Sequence, residues 1–323
     1  MPRSYVVTET QNEQTLAAIV RSLQPDQSWS QVKRLIASRR VTLNTELCLD
    51  PARRIKTGDV LDILDQPQKL PQAFVEELKV RYLDEHIVVV EKPPGINTVR
   101  HPSELDWDHR RRQLTPTLED RLLKAITARL GLPPRSSLRL RKVHRLDKLT
   151  SGLVVFARTG IAEQMLGRQF FKHTVQRRYQ AIVMGKPAPQ TIRTWLVADR
   201  GDGRRGSLVG EPTGRRAKLA ITHIESVKPL NSQLSLIVCR LETGRTHQIR
   251  IHLAELGCPV CGDPVYVIRK DGSRLEDQSG APRLALHAFE LGLLHPTTGE
   301  SLHWTMDLPA DLRTWMSKLN PDS

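Results

Sequence analysis

Apolar and polar positions along the chain follow two different periods, and the changes of period divide it into regions. Val32, Leu35 and Ile36 recur at helical spacing, with Lys33 and Arg34 between them and Arg39 and Arg40 just beyond. This pattern predicts a helix over 30–38 with a basic outer face. Residues 41–44 and 60–64 alternate with period two, and Asn44-Thr45 and Thr57-Gly58-Asp59 are turn signals, so a hairpin unit should follow the helix. Segment 66–72 is polar and holds Pro67 and Pro71, the composition of a linker.

Further on, Ile87-Val88-Val89-Val90 and Leu153-Val154-Val155-Phe156-Ala157 are continuous apolar runs, expected as buried strands. A helix is expected over 117–130, with Leu118, Leu122, Ala125, Ile126 and Leu130 on one face and Gly131 as its stop. Another is expected over 161–172, with Met165, Leu166 and Phe170 inward. Residues 177–183 read as a strand, 217–224 and 234–241 as a paired antiparallel set, 248–256 as a helix ending at Gly257, and 284–294 as a last apolar strand. Segments 100–114, 201–206 and 267–282 read as loops, the first two rich in arginine. Strands and helices mix without strict β-α-β alternation, which predicts an α+β fold rather than a doubly wound sheet. The expected organisation is a small domain at 1–70, a linker at 71–78 and a large domain at 79–323.

Charge narrows the partners. Lys plus Arg total 49 against 35 Asp plus Glu, a net charge of +14 over 323 residues. That excess suits a polyanion, since Lys and Arg neutralising phosphates supply most nonspecific nucleic-acid affinity. No run of about eighteen apolar residues offers a membrane span, and Met1-Pro2-Arg3-Ser4-Tyr5 has no apolar core of a secretion signal. Four cysteines, Cys48, Cys239, Cys258 and Cys261, make no disulfide framework and fit a reducing, cytoplasmic setting. Cys258 and Cys261 form one C-x-x-C without a second pair, and His247 and His252 are five apart with no completing carboxylate, so no metal site is expected.

Two segments concentrate chemistry. His144-Arg145-Leu146-Asp147-Lys148-Leu149-Thr150-Ser151-Gly152 sets an Asp in a polar loop feeding straight into an apolar strand. Functional carboxylates favour loops held by rigid elements, although a turn-capping Asp147 paired with Arg145 reads equally well from these residues alone. Gly244-Arg245-Thr246-His247-Gln248-Ile249-Arg250 packs basic and amide groups at a helix start after a Gly turn, which suits an anion or carboxylate, or simply a capped amphipathic helix.

These segments, in order, carry a family resemblance. Glu91-Lys92-Pro93-Pro94-Gly95, His144-Arg145-Leu146-Asp147 with Thr150-Ser151-Gly152-Leu153, Tyr179 within RRYQAIV, LETGRTHQIRIHLAELGCPVCGDPVY at 241–266, and LALHAFELGLLHPTTGE at 284–300 resemble the RluA-type pseudouridine synthases over about 79–308. The helix at 30–38 with the hairpin at 39–64 resembles the S4 RNA-binding domain. The resemblance implies an isomerase that converts uridine to pseudouridine in structured RNA without a cofactor. Large-subunit ribosomal RNA is the leading substrate, and transfer RNA or an idle RNA-binding assembly factor are the alternatives; a monomer is expected.

By motif position Asp147 is the catalytic carboxylate, Arg250 its counter-charge and Tyr179 the residue that stacks on the base, its hydroxyl a candidate for removing the C5 proton. Ile249 would pack on uracil and Arg145 would contact RNA where the base has left. His144, Arg245 and His247 join the substrate-binding set, and Lys33, Arg34, Arg39 and Arg40 would meet phosphate. The chain departs from the family pattern at Arg177, where Lys is common, at Val267, where Gly is common, and in its long basic segment 100–114.

Overall fold

The computed structural model describes residues 3–44, 46–68, 77–107, 112, 114–131, 133, 138–199, 205–208, 217–267 and 275–319. They form two compact units, Met1–Val75 with Ser103–Thr115, and Glu76–Pro102 with Pro116–Ser323.

The first unit contains β1 (Arg3–Val6), α1 (Leu16–Leu23), α2 (Trp29–Ala37), β2 (Val41–Leu43), β3 (Glu46–Leu47) and β4 (Val60–Ile63). Its four strands form an antiparallel sheet in the order β1-β4-β2-β3. Thr15 caps α1 by accepting from the Ala18 N–H, and Ser28 caps α2 in a reciprocal box with Gln31. Leu16, Ile19 and Val20 of α1 and Val32 and Ile36 of α2 bury against Val41, Leu61 and Ile63 of the sheet. Helix α1 was not expected from the sequence. Its buried positions Leu16, Ala17, Ile19 and Val20 fall at helical spacing, with Arg21 and Ser22 opposite, so the period is present, but in a segment only eight residues long.

The second unit is built on β5 (Val80–Leu83), β6 (Ile87–Lys92), α3 (Leu118–Arg129), β7 (Arg141–Lys142), β8 (Ser151–Ala157), α4 (Gly160–Phe171), β9 (Gln176–Met184), β10 (Gln190–Val197), β11 (Gly206–Ser207), β12 (Lys218–Pro229), β13 (Leu234–Leu241), α5 (Gln248–Glu255), β14 (Leu286–Leu294), β15 (Ser301–Thr305) and α6 (Ala310–Leu319). The sheet runs β11-β10-β12-β13-β9-β14-β8-β6-β5, with β15 on β14 and β7 on β8. Among these pairs only β14 with β8 is parallel, so the fold is α+β on a mixed, mainly antiparallel sheet, as the sequence pattern predicts.

Strand β8 is buried at all seven positions because both its faces are covered. Val154 and Phe156 join the cluster containing Leu118, Leu122 and Ile126 of α3, while Leu153, Val155 and Ala157 pack with Ala162 and Leu166 of α4. Two expected inward residues face solvent instead. Met165 of α4 is exposed because Ala162 and Leu166 define the buried stripe, and Leu130 is exposed because α3 ends one residue earlier. Much of the basic segment 201–206 and of 267–282 lies outside the described residues.

The parallel seam positions the site. At Gly152, where φ is +130°, a Cβ would lie 2.2 Å from the Ala288 carbonyl oxygen, so only glycine lets β8 begin this close to β14. Beside it, the Ser151 hydroxyl and His287 Nδ1 are hydrogen bonded at 3.0 Å. On the other side of the unit, His252 bridges Thr222 and Thr194 at 2.9 Å each, tying α5 to β12 and β10.

Burial pushes both His252 and His287 down to about 4, from an ordinary 6.5. In the unfolded chain these rings take up protons below pH 6.5 that the folded protein refuses until about pH 4. Stability should therefore fall as pH drops through that window, by about 1.4 kcal/mol per pH unit for each ring. Urea unfolding across pH 4.5–7.5 measures the slope, and His252→Asn should make it shallower. A slope of zero in this window would exclude the neutral-histidine assignment.

Candidate active site

The loop 144–151 enters between β7 and β8 and is tied down from below. Lys92, at the end of β6, is completely buried, and its Nζ donates to the carbonyls of Pro93 (3.0 Å), Lys148 (3.0 Å) and Thr150 (2.7 Å). Burial pushes this amine down to about 7, against the opposing pull of the Asp147 charge. The three carbonyls use all three N–H groups of the ammonium form. The Gly95 N–H donates to the Lys148 carbonyl at 2.7 Å. The buried Thr98 hydroxyl accepts from the Leu146 N–H and donates to the Leu146 carbonyl. Leu146 fills the core, and the Thr150 N–H closes the turn onto the Asp147 carbonyl at 3.2 Å. The backbone is thus held by Lys92 and Gly95 on one side of Asp147 and by Thr98 on the other, while the Asp147 side chain stays partly accessible.

Arg250, on the first turn of α5, brings its Nη1 to 3.5 Å from Asp147 Oδ2. Its tighter partner is Asp263, through Nε to Oδ2 at 2.7 Å and Nη2 to Oδ1 at 2.8 Å. Asp263 Oδ1 also accepts the N–H groups of Val265 and Tyr266. Burial alone would raise the Asp263 carboxyl, but the Arg250 hydrogen bonds and charge hold it below the ordinary range. The Tyr266 ring lies 5.0 Å from the Arg250 guanidinium carbon, and its hydroxyl pairs with His247 Nδ1 at 2.8 Å. His247 sits in the left-handed region, φ +59°, at the α5 N-cap.

The structure brings Asp147, Arg250, Tyr179 and Ile249 together. Tyr179 on β9 is buried, and burial together with the nearby Asp147 charge raises its phenol above the ordinary value, with Arg177 opposing. Ile249 is buried in the same cluster as Leu146 and Tyr179. Arg145 is exposed at the loop. Arg245 is exposed, with its Nε donating to the Leu219 carbonyl at 3.0 Å. His144 faces inward: its Nε2 accepts the Val155 N–H at 3.0 Å, its ring stacks on Phe170 at 4.8 Å, and burial pushes it down to about 3. In the first unit Lys33 and Arg34 are exposed on α2, whereas Arg39 and Arg40 are half-buried and the Arg40 Nε donates to the Leu64 carbonyl.

Asp263, Tyr266 and Lys92 were not assigned roles from the sequence. The signal for the first two is their shared turn in GDPVY, since Asp263 accepts the N–H two and three residues ahead like a turn Asp. Among the described residues no three His, Cys, Asp or Glu side chains gather as a metal site, and no helix is long and apolar enough to cross a membrane.

A mixed sheet with one accessible carboxylate beside a buried arginine and an aromatic ring has the fold of the pseudouridylate synthases. The human RNA Pseudouridylate Synthase Domain Containing 4 structure superposes with a TM-score of 0.56 at 22% identity, covering 75% of this chain and 92% of that one. The family model described as RNA pseudouridylate synthase matches 86–255, and the S4 domain model matches 14–61. Among curated relatives, Ribosomal large subunit pseudouridine synthase D of Zymomonas mobilis is 35% identical over 93% of this chain and 91% of that protein. The protein of the same name from Pseudomonas aeruginosa is 34% identical over 96% and 93%. The chain belongs to the RNA pseudouridylate synthase family, in its RluA-type branch, and carries an S4 domain.

Removing Asp263 would leave the Arg250 charge buried with a single distant partner. Asp263→Ala should therefore destabilise the fold by about 3–5 kcal/mol. Denaturant unfolding measures this, and a loss under about 1 kcal/mol would show that water or Asp147 takes over the pairing.

Proposed function

We propose that this enzyme isomerises uridines to pseudouridine in large-subunit ribosomal RNA, with Asp147 as the catalytic carboxylate. The observation that carries the role of Asp147 is its place: a partly accessible carboxylate on a clamped loop, with Arg250 at 3.5 Å. The names of the relatives from Zymomonas mobilis and Pseudomonas aeruginosa support the substrate.

The reaction breaks the N-glycosidic bond, turns the base and forms a C1′–C5 bond; the proton lost from C5 balances the one gained at nitrogen. Its net change is an isomerisation, so one carboxylate near ribose and base suffices. Because Asp263 takes the bidentate grip on Arg250, Asp147 feels the positive charge without being locked in a close ion pair. Tyr179 and Ile249 supply an apolar slot for an extruded base. The raised Tyr179 phenol keeps its proton at neutral pH, which favours a stacking role over removal of the C5 proton. Arg145 reaches the RNA from the exposed side of the loop, and Arg245 and His247 order the turn before α5. The S4 unit within 1–70 contributes phosphate contacts through Lys33 and Arg34; the four free cysteines support a reducing, cytoplasmic setting, and the protein is proposed to act as a monomer.

Asp147→Asn should lower the single-turnover rate by roughly a thousandfold or more while RNA binding stays near normal; an active Asn variant would remove Asp147 from the chemistry. Lys33→Ala with Arg34→Ala should weaken binding and reduce the log K against log salt slope by about 0.7–0.9 per lost phosphate contact. An unchanged slope would mean that α2 does not touch the backbone.

A further inference from the structure

We propose that Arg177 is a positioning residue that joins the three separately carried parts of the site; this rests on the reading of Asp147, Tyr179 and Arg250 given above. Arg177 lies two residues before Tyr179 on β9, on the same face of the strand. It is 7% exposed. Its Nη2 donates to the carbonyl of Glu242 at 2.7 Å and reaches that of Leu241 at 3.5 Å. These carbonyls end β13 and begin the turn that delivers His247, Ile249 and Arg250.

On its other side the guanidinium carbon lies 5.4 Å from the Phe170 ring centroid. Phe170 stacks on His144, which lies three residues before Asp147 in the chain and accepts the Val155 N–H of β8. One planar cation therefore touches the Tyr179 strand, the turn before Arg250 and the stack under the Asp147 loop.

Two further observations separate this role from ordinary filling. A Cβ on Gly244 would meet Arg177 Nη1 at 2.9 Å, and the backbone at Gly244 is not in the left-handed region, so a side chain there would press on the guanidinium and shift its end. The buried Arg177 Nε also finds no acceptor among the described residues. Burying a cation with an unmet N–H is costly, and an apolar side chain of similar length would fill the space without that cost. Lysine could reach one carbonyl but could not lie flat on Phe170 while bonding across the turn.

The test compares Arg177→Met, Arg177→Lys, Gly244→Ala and Arg177→Met/Gly244→Ala, with Asp147→Asn alongside. Single-turnover rate, RNA affinity and unfolding midpoint are measured for each, with rates expressed per folded enzyme. Arg177→Met should lose ~10- to 100-fold in rate, the scale of a small misplacement of reacting groups, with RNA affinity nearly unchanged. Gly244→Ala should lose rate in the same way, Arg177→Lys should recover part of it, and the double variant should be no slower than Arg177→Met alone, because the new methyl group has no guanidinium to displace.

Rates per folded enzyme that match the parent in both Arg177→Met and Gly244→Ala, or losses that multiply in the double variant, overturn the proposal. Should Arg177→Met fail to fold, Arg177→Lys and Gly244→Ala decide alone: full rate in both overturns it. An active Asp147→Asn would sink the underlying reading, whatever Arg177 does.

Discussion

A loop that crosses the interior of a protein must find partners for its peptide groups without a sheet or helix to supply them. At 146–150 that demand is met by Lys92 and Thr98, and the rest of the site follows. The three carbonyls on the Lys92 ammonium and the reciprocal bonds of Thr98 hold the backbone from both flanks of Asp147. The carboxylate projects from a rigid frame although it lies in irregular chain. The same bonds explain why a fully buried lysine is tolerated: every N–H has an acceptor, and the Asp147 charge opposes its desolvation.

Charge is distributed on the same principle of unequal sharing. Arg250 faces two carboxylates, and geometry gives the bidentate contact to Asp263 and only a long approach to Asp147. Asp263 spends its oxygens on Arg250 and on two backbone N–H groups, which leaves it structural. Tyr266 shields the guanidinium and fixes His247. A buried cation is thus anchored by one acid while a second is left only loosely paired; Arg250 and Asp263 both come from the segment 241–266, and Asp147 from the separate loop before β8.

What the sequence disclosed follows from what kind of signal each feature leaves. Strand β8, an unbroken apolar run, and α2, with a clear stripe, were legible; α1 carries a comparable stripe but over only eight residues, too short a window to stand out. Met165 and Leu166 are adjacent and similarly apolar, so only the packing of α4 on β8 decides which one faces inward. Of the site, Asp147, Tyr179 and Arg250 were legible through ordered motifs. The unequal sharing of Arg250 was not, since Asp263 lies thirteen residues away in sequence and its turn chemistry predicts a cap as readily as an ion pair. His144 shows the converse: its place in the motif suggested substrate, while its ring nitrogen is occupied by the Val155 N–H.

Neither the net charge of +14 nor the basic face of α2 can select a particular uridine, because phosphate contacts position an RNA without reading its sequence. In the proposed reading, Tyr179 and Ile249 would meet only a base that has already left its stack, and extruding that base costs a few kcal/mol that depends on its neighbours. Selectivity then has to arise from where structured RNA lets a base out cheaply while its backbone fits the basic surface. An active site held this rigidly suits such a division. With Asp147, Arg250 and Tyr179 held by Lys92, Asp263 and β9, a site of the proposed kind would need little binding energy for its own assembly, leaving it for deforming the RNA.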